Sequence, residues 1–272
     1  EKGGKGEVSS FAALCTSLSA TIGTGNIVGV ATAIGLGGPG ALFWMLIAAF
    51  VGMATKYTEG LLTIKYRTVD PKTGHALGGP FYYIERGMGK GWKWLAVLFA
   101  VLCPLAALLG TGTFTQVNGV TSALRDFFDP NNAYTVAIPG IGTYSLVTII
   151  ASIILTVVVG IVLIGGIKRI ATVSEVIVPF MAILYFVTIL ILMLTNVTAV
   201  PAAFGTIIKG AFDPAAVTGG VVGGIFVAMQ SGIARGIFSN EAGLGTGPIA
   251  AASAKTKEPV RQGLVSMTGT FI

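Results

Sequence analysis

An all-α polytopic membrane protein is the fold class this sequence predicts, and three observations lead to it. Charge is scarce: of 272 residues, 53% are hydrophobic and only 10% are charged, where soluble domains carry about 25%. A chain this poor in charge cannot cover a water-facing surface. Apolar residues also run on for the roughly 20 positions a helix needs to cross hydrocarbon, without the two-residue alternation of a barrel strand. Finally, two of these runs are interrupted by glycine and small polar residues, which soluble cores rarely need and broken membrane helices do.

In chain order, the candidate spans cover residues 9–34, 39–62, 92–113, 144–164, 171–194 and 216–238, and a seventh starts near 262. The polar start, EKGGKGEVSS, lacks a Met, and the last residues, VSMTGTFI, stop within an apolar run. Both ends predict a fragment of a longer membrane protein, with no signal-peptide pattern. Orientation follows from the basic residues. With the N-terminus cytoplasmic, only Arg125 and Lys209 of the 17 Lys and Arg residues fall outside, as the positive-inside rule requires. The net charge of +6 therefore reflects topology, and the bases form no stripe that would bind nucleic acid. In the inner segment 63–91 and just beyond it, Phe81, Tyr82, Tyr83, Trp92 and Trp94 suit the membrane–water interface. In the outer segments, VTSALRDFF and VPAAFGTIIKGAF predict short interfacial helices.

The first interruption is Gly23-Thr24-Gly25-Asn26, inside SATIGTGNIVGV. Two readings stand. Small residues let helices pack closely, as in small-xxx-small seams. Alternatively the span is unwound into two half-helices, whose freed carbonyls can hold a cation and whose second N-terminus can hold an anion. Packing accounts for Gly25 and Gly29 but does not ask for Asn26 near a span centre. The second interruption, Gln230-Ser231-Gly232 in IFVAMQSGIARG, falls five spans later. Its plainer reading is one polar residue hydrogen-bonded in a bundle. Paired interruptions at corresponding positions point to a transporter site near the membrane midplane.

Other chemistries fit less well. GTGNIVG spaces its glycines as G-x-G-x-x-x-G, one residue too long for a dinucleotide fingerprint, and no acidic residue lies between Gly29 and Lys56 to hold a ribose. His75 is the only histidine, and Cys15 and Cys103 form no spaced framework, which leaves no transition-metal cluster and no histidine-based catalysis. Glu59, Glu175 and Glu241 sit near cytoplasmic ends, and Glu59 and Glu175 are expected to face the interface. An enzyme is therefore not expected. A channel also uses non-helical backbone at depth, but needs a filter contributed symmetrically by subunits or repeats, and nothing here repeats in that manner.

The stretches GTGNIVGVATAIGLGGPGALFWM, KYTEGLLTIKYR, GGPFYYIERGMG and SNEAGLGTGPIAAASAKTKEPVRQGLV together resemble the alanine/glycine:cation symporter family, the sodium:alanine symporters. Leu46 stands where that signature usually carries a second Trp. The resemblance covers essentially the whole chain. It implies a leucine-transporter-like fold of two inverted five-helix repeats. The first repeat would occupy about 9–195 and the second would start at about 216, so that the chain holds core helices 1–6 and the start of helix 7. It further implies a plasma-membrane protein that moves alanine or glycine with Na⁺, or with H⁺ in some members, by alternating access. No cofactor beyond the coupling ion is implied, and the oligomeric state is left open.

Carried over position by position, the resemblance gives Thr24, Gly25 and Asn26 to the unwound part of the first core helix, with N–H groups for the substrate carboxylate. It assigns Phe226, Met229, Gln230, Ser231 and Gly232 to the unwound part of the sixth core helix. There, carbonyls near Phe226 accept from the substrate ammonium, Gln230 helps hold the carboxylate, and Phe226 with Met229 limits side-chain size. The carbonyls of Ser19 and Ile22, with Asn26, are the implied Na⁺ ligands; the remainder of that site would come from an eighth core helix. Gln116 and Asn118 are candidates for the outer vestibule, and Arg235 and Glu241 for an inner gate.

Overall fold

The computed structural model describes residues 6–109, 113–140, 142–212 and 224–271, with residue 271 alone in backbone only. The described elements are helical apart from two short hairpins. Four stretches are long and apolar enough to cross a membrane, Gly40–Tyr66, Lys90–Phe128, Leu146–Ile164 and Gly166–Thr195, and a bent helix pair makes a fifth. The outward faces of the later spans are apolar throughout, with Ile153, Val157, Ile183, Phe186 and Leu190 all exposed. Such surfaces belong in lipid. The protein is a multi-pass membrane protein.

The chain divides into two compact units, Glu1–Ala100 with Ala171–Ile272, and Val101–Ile170. The larger unit opens with α1 (Ser10–Thr21), capped by the Ser9 hydroxyl, which accepts from the Ala12 N–H at 3.0 Å. Ile22 and Gly23 leave the helical conformation, and α2 (Thr24–Gly37) sets off at a 41° bend. Gly38 and Pro39 turn the chain into α3 (Gly40–Tyr66). A hairpin, β1 (Thr68–Val69) with β2 (Ala76–Leu77), leads to α4 (Pro80–Met88), a 3₁₀ turn at Lys90–Trp92 and the start of α5 (Lys93–Leu108). After most of α8 (Gly166–Thr195) come α9 (Val200–Phe212), α10 (Gly224–Asn240), α11 (Thr246–Ala251) and α12 (Pro259–Phe271).

Helix α3 is the axis of this unit: α2, α4, α9, α10, α11 and α12 all pack against it. One close approach is to α10, where Ala228, Gly232 and Gly236 recur every fourth residue and are all buried. A Cβ on Gly232 would collide with the Ala41 carbonyl, and one on Gly236 would lie 2.8 Å from Ala48 Cβ. Without side chains at these positions the two backbones can touch. Helix α9 joins the same axis through the Trp44 indole, which donates to the Ala211 carbonyl at 3.2 Å, and through Phe43 against Phe212. Helix α1 packs on α11 and α12, and its Cys15 and Leu18 also cluster with Val178 of α8. Near the end of α3, Thr63 Oγ1 donates to the Pro248 carbonyl at 2.9 Å, and Arg67 donates to the carbonyls of Ala252, Ala254 and Thr256. That guanidinium organises the non-helical run between α11 and α12.

The smaller unit contains the end of α5, α6 (Thr113–Phe128), the hairpin β3 (Thr135–Ile138) with β4 (Gly142–Ser145), and α7 (Leu146–Ile164). Asp129 ties the hairpin to α6: its carboxylate accepts from the Ala133 N–H at 2.7 Å and the Ser145 hydroxyl at 2.9 Å. Burial pushes this carboxyl up, but those donors, the Tyr134 N–H and nearby Arg125 outweigh it and hold it below the usual range.

Three expectations change here. The short helix expected at VTSALRDFF is the end of the longer α6, because TFTQVNG continues the helical run without a breaker. The fifth span begins at Gly166 rather than near 171, since Lys168 and Arg169 are taken into the first turns of α8. Part of the expected span 216–238 lies outside the described residues.

Candidate functional site

The break between α1 and α2 is built by one side chain. In a continuous helix the Gly23 N–H would reach back to the Ser19 carbonyl, and the Asn26 N–H to that of Ile22. Here the Gly23 N–H donates to Asn26 Oδ1 at 2.9 Å, and the Asn26 N–H donates to the Gly23 carbonyl at 3.0 Å. The carbonyls of Ser19 and Ile22 are thereby deprived of their ordinary helical donors. The other end of the Asn26 amide donates to Ser239 Oγ at 2.7 Å, which ties the break to the end of α10. Beside the break there is room: a Cβ on Gly25 would meet no atom within 4 Å. Thr24, Gly25 and Asn26 are all half-buried at the start of α2. The arrangement offers carbonyl oxygens on the α1 side and a helix N-terminus on the α2 side, across an open space.

The expected unwinding at Gln230 is not found. Phe226, Met229, Gln230, Ser231 and Gly232 all lie within the continuous helix α10. The reason is packing. Gly232 sits in the α3 seam and Ser231 faces α2, where a Cβ on Gly37 would lie 2.8 Å from Ser231 Cβ. Small residues here serve close approach, the role weighed above for the first interruption. Phe226, 72% exposed, and Gln230 share the open face of α10, with Met229 half-buried beside them. Arg235 lies along α2, its Nη1 3.5 Å from where a Gly29 Cβ would be, and Glu241 instead accepts from Thr246 Oγ1 at 2.8 Å.

The chain does break a second time, ten residues later. Between Asn240 and Thr246 the backbone takes left-handed conformations at Glu241 (φ 51°), Gly243 (φ 85°) and Gly245 (φ 80°). Glycine adopts such values at little cost, so EAGLG ends α10 and starts α11. What holds this break is a residue the sequence reading placed at the interface. Glu59 is 7% exposed, and its carboxylate accepts from the backbone N–H groups of Gly243 and Gly245. Lys56, one turn earlier on α3, is 4% exposed. Both line a small polar cavity with Ser17, Gly60, Gly247, Pro248 and Ser266. Tyr83 on α4 lies near enough that the Glu59 charge, after burial itself, pushes its phenol up. The signal was present in the sequence. Gly52, Lys56, Glu59, Gly60 and Thr63 recur at helical spacing and are all buried, a small and polar stripe on an otherwise apolar span.

The family model described as the sodium:alanine symporter family matches residues 1–272. The chain belongs to the sodium:alanine symporter family. Among its relatives, an uncharacterized transporter of Haemophilus influenzae is 58% identical over all of this chain and 56% of its own length. The sodium/alanine symporter AgcS of Methanococcus maripaludis is 48% identical over 98% of this chain and 55% of its own. The amino-acid carrier protein AlsT of Bacillus subtilis is 40% identical over 99% and 53%. The chain spans about half the length of the curated relatives it matches. The family and these named members are transporters, and no enzymatic role attaches to them.

Proposed function

We propose that the protein of which this chain forms about half is a secondary active transporter that carries alanine, and glycine as a smaller analogue, together with Na⁺ by alternating access. The observation that carries this reading is the α1–α2 break. The carbonyls of Ser19 and Ile22, stripped of their helical donors, are hard oxygen ligands of the kind Na⁺ takes, and Asn26 holds them in that state. The N-terminus of α2, at Thr24 and Gly25, suits the carboxylate of an amino acid. Gly25 adds no side chain to the space in front of it. Ser239 at the end of α10 stands beside the break, whereas Phe226, Met229 and Gln230 lie further along α10, toward the Gly37 end of α2, and would meet the solute on its path through the protein and not at the break itself. Membership of a family whose member AgcS is named a sodium/alanine symporter supports the same pairing of solute and ion.

In this reading the fold is leucine-transporter-like. Residues of about 9–195 form the first inverted repeat, those from about 216 start the second, and the rest of the cation site comes from beyond them. The protein sits in the plasma membrane, with the start of this chain on the cytoplasmic side. Na⁺ binding at the break orders α1 against α2 and preforms the solute site, so ion and solute share a coupling free energy that must be reciprocal. The test is uptake of labelled alanine and glycine by proteoliposomes of the full-length parent. A Na⁺ gradient should drive accumulation above equilibrium. Equilibration without accumulation would indicate a channel, and accumulation indifferent to Na⁺ would indicate another coupling ion.

A further inference from the structure

The Glu59 cavity is a second polar site in the membrane interior, separate from the α1–α2 break. One Glu59 oxygen is engaged by the N–H groups of Gly243 and Gly245, while Oε2 is buried and has no hydrogen-bond partner. A buried carboxylate oxygen without a donor is unfavourable. On the facing helix, α12, a second buried acceptor is equally bare: Gln262 Oε1, on a side chain only 2% exposed. Gln262 Nε2 donates to Ser266 Oγ at 3.3 Å, and Ser266 lines the cavity with Glu59. Two buried acceptor atoms in the seam between α3 and α12 thus go unmet, although Lys56, Ser17 and Ser266 bring donor groups to the same cavity. The cavity offers only about 10 Å³ to the centre of a water-sized guest, too little for an amino acid.

The groups that face Glu59 limit the guest further. On α3 itself is Lys56; on the α10–α11 connection is Glu241; on α4 is Tyr83. The facing residues of α1 and α12, Ser17, Gln262 and Ser266, are neutral, and α11 presents Gly247 and Pro248. Lys56 lines the same cavity yet is not among the ion pairs within 4 Å found for the described residues. A metal cation would have to enter beside that ammonium. A proton would not, because it neutralises Glu59 and removes the unmet charge on the buried Oε2.

We propose that Glu59 is a proton-binding site, at which the carboxylate takes up one proton on Oε2, the buried oxygen that no donor meets. The proton passes between bulk water and the carboxylate, and no other bond changes. Because the other oxygen of the same carboxylate holds the α10–α11 connection, protonation weakens its grip on Gly243 and Gly245 and so bears on how freely that break can move. The protonation itself is independent of the solute carried; its use in transport rests on the function proposed above.

Infrared difference spectra of the full-length parent, titrated in pH, test this directly. A protonated-carboxyl C=O band should titrate in the wild type and be missing in Glu59→Gln, whose amide imitates the neutral form. Ser266→Ala removes only one hydroxyl from the cavity wall, makes the surroundings of Glu59 less polar, and should move the titration of that band to higher pH while the fold is retained. In proteoliposomes at equal Na⁺ on both sides, alanine exchange should depend on pH by up to about tenfold per unit, the limit for one proton, and Glu59→Gln should flatten the profile. Superimposable wild-type and Glu59→Gln spectra, a titration unmoved by Ser266→Ala, or a band abolished by Na⁺ at constant pH would each overturn the proposal. A titrating band in a parent that does not exchange alanine would support the Glu59 site and overturn the transport reading instead.

Discussion

The two broken helices of the larger unit are held in different ways. At the α1–α2 break the stitch is local: Asn26 caps the Gly23 N–H from three residues away, and the space beside Gly25 stays open. At the α10–α11 break the stitch comes from another helix, since Glu59 on α3 reaches across to Gly243 and Gly245, and the surroundings leave only a small cavity of about 10 Å³. A break stitched by its own residues can leave its carbonyls facing a vacant space. A break stitched by a neighbour is tied to that neighbour's position. The first is suited to receive a ligand, and the second to transmit a shift in helix packing. Ser239, to which Asn26 donates, lies four residues before Gly243, so one short stretch of chain touches both stitches.

The largest effect is expected where a neighbour does the stitching. Glu59→Ala strands two buried backbone donors and should destabilise the parent by about 3 kcal/mol, seen as a lower melting temperature in detergent. A melting temperature equal to wild type would show that α3 does not hold the second break. Next comes the seam on which both breaks rest. Gly232→Val forces a side chain onto the Ala41 carbonyl and should cost about 1–3 kcal/mol, whereas Gly25→Ala, at the open position, should leave the fold stable and reduce alanine affinity. Equal stability losses at the two glycines would erase the distinction between a packed and an open region.

Asn26→Ala should cost about 0.5–2 kcal/mol, as the loss of a helix cap does, and weaken Na⁺-dependent alanine binding measured by calorimetry. Asn26→Asp keeps an acceptor for Gly23 but loses the donor to Ser239. A stability near wild type in that variant would assign the local stitch to the cap alone. The smallest structural effect belongs to Gln230→Ala, within about 0.5 kcal/mol for an exposed position, with its consequence confined to alanine affinity. Unchanged affinity would remove the open face of α10 from the solute's path.

Much of this architecture was legible in the residues. Long uncharged runs must be helices in lipid, and Gly-Thr-Gly-Asn inside one of them must either pack or unwind. Asn26 decides for unwinding because an amide can satisfy the N–H that the break exposes. Gln230-Ser231-Gly232 misled for the complementary reason: small residues favour close helix contact as well as broken helices, and only the position of Ala41 and Trp44 against Gly232 tells the two apart. Glu59 was placed at the interface because a charge near a span end usually snorkels to water. Its burial depends on Gly243, Gly245 and α12, which are distant in sequence.

Composition and local chemistry alone thus determined that this is a bundle of membrane helices with an interruption at Gly23–Asn26 that must pack or unwind, since both follow from the cost of unsatisfied backbone in hydrocarbon. Where the second break falls, and which buried charge holds it, was decided only by the tertiary structure. Those outcomes turn on contacts between residues nearly two hundred positions apart, and helical periodicity records which face a residue occupies without recording what faces it.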